Sequence, residues 1–258
     1  MKAVCCQLDI VWEDKPANYA KVRALLDGIK IPPGSLVILP EMFATGFSMN
    51  VVGIREGAAS ETESFLASAA RFYGVFMLGG MVTVGDNGQG RNEAVVFSPE
   101  GKLHARFCKI HPFTLGGEAQ HYAAGTEIVT FDWQGFKVAP FVCYDLRFPE
   151  VFRSAARQGA NVFVVIANWP VMRIHHWSTL LQARAIENQA YVAGVNRCGT
   201  DPKLTYNGRS LLIDPRGDIL AELGNQEGLI SADLNLDELQ AWRQEFPALQ
   251  DMHPEFVV

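Results

Sequence analysis

Residues 139–149 read Ala-Pro-Phe-Val-Cys-Tyr-Asp-Leu-Arg-Phe-Pro, an apolar run that stops at Cys143 and gives way to a polar turn. The run predicts a buried strand, and Pro149 suits the first turn of a helix that continues over residues 151–158. The N–H groups of a strand-to-helix turn can favour a thiolate and stabilise an oxyanion beside it. A structural cysteine would have apolar neighbours on both sides. The stretch therefore predicts that Cys143 is presented as a nucleophile.

The rest of the chain alternates strand-like and helix-like segments, which indicates an α/β fold. Ser60, with Glu63 three residues later, predicts a capping box at the start of one helix. Hairpin links, such as the one at residues 85–90, are mixed with strand–helix units and predict mixed sheets. Strands are predicted at residues 3–8, 36–39, 75–84, 93–98, 103–108, 128–133, 137–142, 162–167, 191–196, 210–213, 219–223 and 229–232, and further helices at 17–29, 60–72, 177–188 and 236–245.

Length, composition and charge favour one cytoplasmic domain that binds a small molecule. The 258 residues are 48% hydrophobic, which suits a single domain over residues 1–258. The last ~15 residues are expected to be a docking tail, because the chain ends on apolar residues 256–258. The net charge of −6, without a Lys/Arg cluster, argues against nucleic acid or an anionic membrane. No signal peptide or membrane-spanning run is apparent, so we expect a cytoplasmic protein.

The five cysteines indicate a reducing compartment, because they are odd in number and lack CxxC spacing. Cys5 and Cys6 are adjacent on one predicted strand and should face opposite layers as small core side chains. Cys108 and Cys198 are expected to fill the core or a strand end. Only Cys143 has a context that suggests chemistry.

Three polar residues follow buried strands: Glu41, Lys109 and Cys143. Strand ends converge on a crevice in layered α/β proteins, so these three side chains can meet although they are far apart in sequence. A carboxylate can take the thiol proton, a thiolate can attack a carbonyl carbon, and an ammonium can stabilise the oxyanion. Glu118, on a Gly-rich loop, is a plausible second carboxylate or an ordinary helix-start glutamate, and spacing alone leaves both open.

Three segments together resemble the nitrilase (carbon-nitrogen hydrolase) superfamily over nearly the whole chain. They are Leu-Pro-Glu-Met-Phe at 39–43, Phe-Cys-Lys-Ile-His-Pro-Phe at 107–113, and Phe-Val-Cys-Tyr-Asp-Leu-Arg-Phe-Pro at 141–149. The Cys-Tyr-Asp-Leu-Arg-Phe-Pro segment, Ala-Asn-Trp-Pro at 167–170, Ala-Arg-Ala-Ile-Glu-Asn-Gln at 183–189 and the Phe-Pro at 246–247 are similar to the ω-amidase branch.

The resemblance implies a four-layer α-β-β-α sandwich with mixed sheets and a triad of Glu41, Lys109 and Cys143. The supporting glutamate of the superfamily falls on Glu118. The implied reaction hydrolyses the terminal amide of a short 2-oxo or dicarboxylic acid monoamide through a Cys143 thioester, without metal or organic cofactor. A homodimer through residues 149–158 and 177–188 is also implied, with the C-terminal tail as a candidate crossing segment.

The oxyanion is expected between Lys109 and the backbone N–H of Tyr144. Asn168 and Trp169 follow the strand at residues 162–167 and are expected to reach the crevice as substrate-binding walls. For Trp169, packing between helix and sheet is an equally good interpretation.

A monoamide of a dicarboxylic acid needs a cation away from the scissile amide, and Arg147, Arg173 and His111 are the candidates. Arg147 could instead pair with Asp145 or Glu150, which is a structural role.

Other functions share some of these residues. A papain-like protease would pair Cys143 with His175 or His176, but the local sequence does not fit that class. The two adjacent histidines do not predict a metal site, since neighbours on a helix diverge by about 100°. A non-catalytic dimeric module is a further alternative. Within the superfamily, N-carbamoyl amidase, nitrilase and N-acyl transfer activities would use the same three residues.

Overall fold

A computed structural model describes residues 1–57, 60–85 and 88–253. The strands are β1 (Lys2–Gln7), β2 (Leu36–Ile38), β3 (Phe76–Val84), β4 (Gly90–Phe97), β5 (Leu103–Cys108), β6 (Phe131–Trp133), β7 (Phe136–Val142), β8 (Val162–Ala167), β9 (Tyr191–Asn196), β10 (Cys198–Thr200), β11 (Thr205–Asn207), β12 (Leu211–Ile213), β13 (Ile219–Glu222) and β14 (Gly228–Asp233). The α-helices are α1 (Lys15–Asp27), α2 (Val51–Ile54), α3 (Glu61–Tyr73), α4 (Pro149–Arg157), α5 (Ile174–Asn188) and α6 (Leu236–Glu245).

The strands form two mixed six-stranded sheets and a separate β10–β11 hairpin. The first sheet has the order β14-β1-β2-β3-β4-β5, and the second has the order β13-β12-β9-β8-β7-β6. In the first sheet β1, β2 and β3 are parallel, and the other strands join through antiparallel pairs. In the second sheet β7, β8 and β9 form the parallel centre. The prediction of mixed sheets is confirmed.

Two hydrophobic clusters define the layers. The larger one joins inward-facing residues of both sheets and includes the helix residues Phe152 of α4 and Trp177 of α5, which cover the second sheet. The other places α1 and α3 on the outer face of the first sheet. Cys5 belongs to the first cluster and Cys6 to the second, so the adjacent thiols face opposite layers as predicted. The order of layers is α-β-β-α.

The capping box predicted at Ser60 is wrong. Ser60 has a φ of 42° and its side chain makes no capping hydrogen bond, because a left-handed residue lacks the extended geometry of an N-cap. Instead, the N–H of Thr62 donates to Glu56 Oε2 over 3.0 Å. Glu63 forms an ion pair with Arg106 on β5.

The C-terminal strands divide between the two sheets. β12 and β13 pair with each other in the second sheet, whereas β14 pairs with β1 in the first. The short elements α2, β10 and β11 were not predicted. Residues 86 and 87 of the predicted hairpin link and residues 254–258 of the predicted tail lie outside the described residues. Within the described part of the chain, no helix has the length and apolar character needed to span a membrane.

Candidate active site

Glu41, Lys109 and Cys143 follow β2, β5 and β7, two strands of the first sheet and one of the second. Glycine at position 80 of β3 lets the Glu41 segment lie directly on the sheet, since a Cβ there would be 2.6 Å from Glu41 Cα. The N–H of Gly80 donates to Pro40 O over 3.1 Å and holds this approach. The three strand ends therefore meet between the sheets, as the sequence predicts.

The ammonium of Lys109 joins two buried carboxylates. Its Nζ lies 3.0 Å from Glu41 Oε1 and 2.8 Å from Glu118 Oε2, and all three side chains are at most 1% exposed. The buried Lys109 would lose its charge without partners, but the two glutamates reverse that effect and raise its pKa above the ordinary value. Lys109 is therefore a fixed cation in a cluster whose carboxylates outnumber it.

Glu41 accepts hydrogen bonds at both oxygens. Oε1 accepts hydrogen bonds from Lys109 Nζ and from Asn92 Nδ2, the latter at 2.7 Å. Oε2 accepts hydrogen bonds from the backbone N–H of Asn168 at 2.8 Å and from Asn168 Nδ2 at 3.2 Å. Burial by itself would raise the pKa of Glu41, but the charge of Lys109 and these hydrogen bonds bring it below the ordinary value. Glu41 is therefore an ionised, oriented carboxylate at neutral pH.

Glu118 begins a short 3-10 helix, Glu118–Gln120, after Gly117 with a φ of 77°. Besides Lys109, it accepts Asn92 Nδ2 at 2.8 Å and the N–H of Phe113 at 2.6 Å. The spacing of the sequence left its role open. The structure brings it to the same ammonium as Glu41, because the loop after Lys109 folds back over β4.

Cys143 is the first residue of a 3-10 helix, Cys143–Arg147, which precedes α4. Its φ of 49° lies in the left-handed region, which costs a non-glycine residue about 1–3 kcal/mol and clusters at functional sites. Its Sγ lies 4.0 Å from Asn168 O, and the same Asn168 holds Glu41. The shared neighbour Asn168 shows that the Cys143 thiol lies beside the carboxylate cluster. The strained backbone is typical of a functional site.

The expectation that the turn favours a thiolate is corrected. Burial raises the pKa of Cys143 well above the ordinary value, and the negative charge of Glu41 raises it further. Lys109 acts in the opposite direction but does not outweigh these effects. The main physical reason is burial, and the cluster adds to it because it contains two carboxylates and one ammonium. Cys143 is consequently a neutral thiol at rest, and its proton must leave during the reaction.

A cavity of about 410 Å³, part of it open to solvent, lies above Cys143. Its walls are mainly aromatic and apolar, with two arginines. The lining residues are Phe47, Phe113, Cys143, Tyr144, Arg147, Asn168, Trp169, Pro170, Arg173, Leu204 and Tyr206.

The two arginines at this cavity are held by aromatic rings. The Arg147 guanidinium lies 4.8 Å from the Trp169 ring centre and its Nη2 is 3.2 Å from His176 Nδ1. The Arg173 guanidinium lies 5.4 Å from the Phe113 ring centre. Within residues 1–57, 60–85 and 88–253, neither forms an ion pair with a carboxylate, so the alternative pairing of Arg147 with Asp145 or Glu150 is not found. Both arginines are placed to meet an anionic ligand.

The structure places His111 outside this cavity, which corrects its proposed role as a carboxylate ligand. Its Nδ1 lies 2.9 Å from Asp145 Oδ1, and its ring stacks on Phe148 at 3.7 Å. Asp145 is fully buried and also accepts the N–H of Val142 at 3.1 Å and that of His111 at 2.9 Å. His111 is thus held by a buried carboxylate that ties the Lys109 loop to the Cys143 turn.

Asn168 and Trp169 line the cavity, and each also has a structural contact. Asn168 Nδ2 donates to the side chain of Glu41 and also to the backbone oxygen of Glu41, the latter at 2.8 Å. Trp169 packs on Trp177 and its Nε1 donates to Arg173 O at 2.8 Å. Both interpretations of Trp169 are therefore compatible with its position.

Asn92 and Asp145 were not predicted from the sequence. The signal for Asn92 is a polar residue in an apolar strand, and for Asp145 a carboxylate two residues after the cysteine. For metal binding, the described ranges contain no group of three or more His, Cys, Asp or Glu side chains arranged for an ion.

Comparisons with known proteins identify the family of the chain. A model of the carbon-nitrogen hydrolase family matches residues 2–244. Omega-amidase YafV of Yersinia enterocolitica is 40% identical over 256 residues, 97% of this chain and 96% of the relative. The 2-oxoglutaramate amidase of Bacillus subtilis is 34% identical over 252 residues, 97% of each chain.

A solved structure of a CN-hydrolase superfamily protein from Xanthomonas campestris, with an arsenic adduct in its active site, is similar throughout. It gives a TM-score of 0.93 at 34% identity and covers 100% of this chain and 98% of its own. The resemblance derived from the sequence and the sandwich fold that it implies are confirmed. The chain belongs to the carbon-nitrogen hydrolase family.

Proposed function

We propose that the protein is an ω-amidase that hydrolyses the terminal amide of a short 2-oxo or dicarboxylic acid monoamide to the acid and ammonia. One observation carries the proposal: the thiol of Cys143, at a strained turn, lies beside a buried Glu41–Lys109–Glu118 cluster, at a cavity with two arginines. The cluster supports amide chemistry and the arginines support an anionic substrate. The names of the Yersinia enterocolitica and Bacillus subtilis relatives agree with both.

In the first half of the reaction, Cys143 Sγ attacks the amide carbon while Glu41 accepts the thiol proton. The carbonyl oxygen becomes an oxyanion between Lys109 Nζ and the N–H of Tyr144. The carbon–nitrogen bond then breaks, Glu41 returns the proton to the leaving nitrogen, and ammonia departs. A thioester with Cys143 remains.

In the second half, Glu41 takes a proton from water, and the resulting hydroxide attacks the thioester carbon. The oxyanion again lies between Lys109 and Tyr144, the carbon–sulfur bond breaks, and the proton moves from Glu41 to Cys143 Sγ. Glu118 takes no part in the proton transfers and keeps Lys109 in place through its contact of 2.8 Å with Nζ. The balance requires only the amide and one water molecule.

Arg147 and Arg173 select the substrate in this proposal, because a guanidinium binds a carboxylate with paired hydrogen bonds. Replacement of either by Met should raise KM for succinamate and leave KM for a neutral amide of similar length nearly unchanged. Equal effects on both substrates would contradict a role in carboxylate binding.

The proposed function is tested by measuring ammonia release from 2-oxoglutaramate, succinamate, glutamine and simple nitriles. We expect the 2-oxo and dicarboxylic monoamides to be the best substrates. Preference for a nitrile would identify another activity of the family. Preference for glutamine would contradict the ω-amidase assignment.

Cys143→Ala should abolish ammonia release while the circular dichroism spectrum stays unchanged, whereas unchanged release would contradict the enzyme assignment and leave a non-catalytic module. If the mechanism were papain-like, with His176 as the base, His176→Gln would be as inactive as Cys143→Ala. We expect it to remain active.

We also propose that residues 1–258 form one cytoplasmic domain and that the protein is a homodimer through α4 and α5. Shared packing of both sheets in one cluster supports the single domain. Five free cysteines support a reducing compartment. Ile186 on α5 is 55% exposed, which supports an interface there. Sedimentation as a monomer at micromolar concentration would contradict the dimer.

A further inference from the structure

Asn92 contacts all three members of the buried cluster. The strand β4 places it next to Lys109, whose N–H donates to Asn92 O over 2.8 Å. Its side-chain Nδ2 donates to Glu41 Oε1 at 2.7 Å and to Glu118 Oε1 at 2.8 Å. Asn92 is 1% exposed, so water does not substitute for these contacts. One amide group therefore spans the gap between the two carboxylates.

The orientation of this amide follows from its partners. Both glutamates can only accept hydrogen bonds when ionised, and an amide has two N–H groups on one atom and none on the other. The NH2 group must face the carboxylates, which uses both of its hydrogens. Asn92 Oδ1 is buried and has no hydrogen-bond partner among the described residues. The side chain is thus committed to the glutamates at the cost of an unsatisfied oxygen.

We propose that Asn92 is a positioning residue that sets the separation and orientation of the Glu41 and Glu118 carboxylates around Lys109. The inference rests on the proposed function in that Glu41 is the base. Lys109 alone pulls both carboxylates toward one point, where they would repel each other. Asn92 supplies a second, neutral donor to each, which holds them apart and keeps Glu41 aligned.

The position predicts an effect on proton affinity as well as on geometry. The hydrogen bond from Asn92 is one of the interactions that lower the pKa of Glu41, after the charge of Lys109. The other titratable groups around Glu41 are Glu118, Cys143 and the buried Tyr122. None of these is replaced in the test, so a change in the acidic limb of the activity profile reports the Asn92 contact.

The test compares Asn92→Ala and Asn92→Asp with the wild type by the pH dependence of kcat/KM. We expect Asn92→Ala to lower kcat/KM about 10- to 100-fold, the range for one hydrogen bond to a charged group. Its acidic limb should move to higher pH, because Glu41 becomes easier to protonate. Asn92→Asp keeps the side-chain size but adds a third carboxyl group, so its limb should move further in the same direction.

Asn188→Ala is the matched control, since Asn188 is equally buried but donates to Arg184 O on α5 and not to the cluster. Its acidic limb should coincide with that of the wild type. If the acidic limb of kcat/KM lay at the wild-type pH in both Asn92 variants, the proposal would be overturned and Asn92 would have only a packing role. If Asn92→Ala does not fold, Asn92→Asp alone decides, because it creates no cavity.

A second measurement is independent of any substrate. The lowered pKa of Glu41 gives stability that is present above the pKa of the unfolded chain and is lost as pH falls toward the folded value. The Asn92 variants should therefore lose less unfolding free energy on acidification than the wild type. Absence of ammonia release by the wild type would refute the proposed function. Equal acid sensitivity of all the proteins would refute the role of Asn92.

Discussion

Replacement of Lys109 by Met removes the only cation of the Glu41–Lys109–Glu118 cluster within the described residues and keeps a similar side-chain length. Both glutamates are 0% exposed, so the change leaves two carboxylates in the interior with Asn92 as their shared donor. Removing one partner of a buried ion pair typically costs about 3–5 kcal/mol, because the remaining charge is uncompensated. We expect a loss of that size in the free energy of unfolding at neutral pH.

The loss should depend on pH with a definite sign. In the variant, two like charges without Lys109 raise the pKa of one glutamate above its unfolded value, so folding is penalised above that pKa and the penalty fades as pH falls. In the wild type, the lowered pKa of Glu41 gives stability that acid removes. Both effects make the difference between the two proteins smaller on acidification.

Urea unfolding of the two proteins between about pH 3 and pH 8 measures this difference. Lys137→Met is the matched control, since Lys137 is 39% exposed and pairs with Asp132 at the surface, and its effect should stay within about 0.5 kcal/mol. Ammonia release by Lys109→Met should fall at least about 100-fold through loss of the oxyanion donor. A stability loss below about 1 kcal/mol, or one that does not vary with pH, would refute the reasoning.

Three further changes test other parts of the site. Glu41→Gln should abolish ammonia release yet shift alkylation of Cys143 by iodoacetamide to lower pH, because a charge that raises the thiol pKa is gone; an unchanged alkylation profile would contradict this. Gly80→Ala should push away the Glu41 backbone and cost about 1–3 kcal/mol in thermal unfolding experiments, whereas Gly57→Ala, with open space around it, should be nearly silent. Asp145→Asn replaces an acceptor by a donor at a fully buried position and should cost about 1–3 kcal/mol, measured by urea unfolding.

The elements that the sequence predicted best are those whose pattern is strong locally. The bounds of β5, β8, β9 and α6 agree residue for residue with the prediction. Strand β8 is a continuous apolar run, and all six of its residues are buried. Such runs between turn signals specify a central strand without reference to the rest of the chain. No local pattern indicates the pairing of β14 with β1, because it joins residues more than 200 positions apart.

The positions of the site residues followed from the same local logic, but their states did not. Glu41, Lys109 and Cys143 could be selected because each lies just after a buried strand, and strand ends converge. The role of Glu118 could not be derived from spacing, since a folded loop brings it to Lys109. His111 belongs to a predicted segment, yet Asp145, 34 residues later, holds it outside the cavity.

The sequence by itself determined the family, the order of the main strands and helices, and the three strand ends that meet at the site. These properties depend on short apolar runs and on residue types at their ends. Only the tertiary structure decided that Cys143 is a neutral thiol, that Asn92 spans two glutamates and that two arginines face the cavity. The reason is that proton affinity and hydrogen bonding depend on distances between groups, and here those groups come from both sheets.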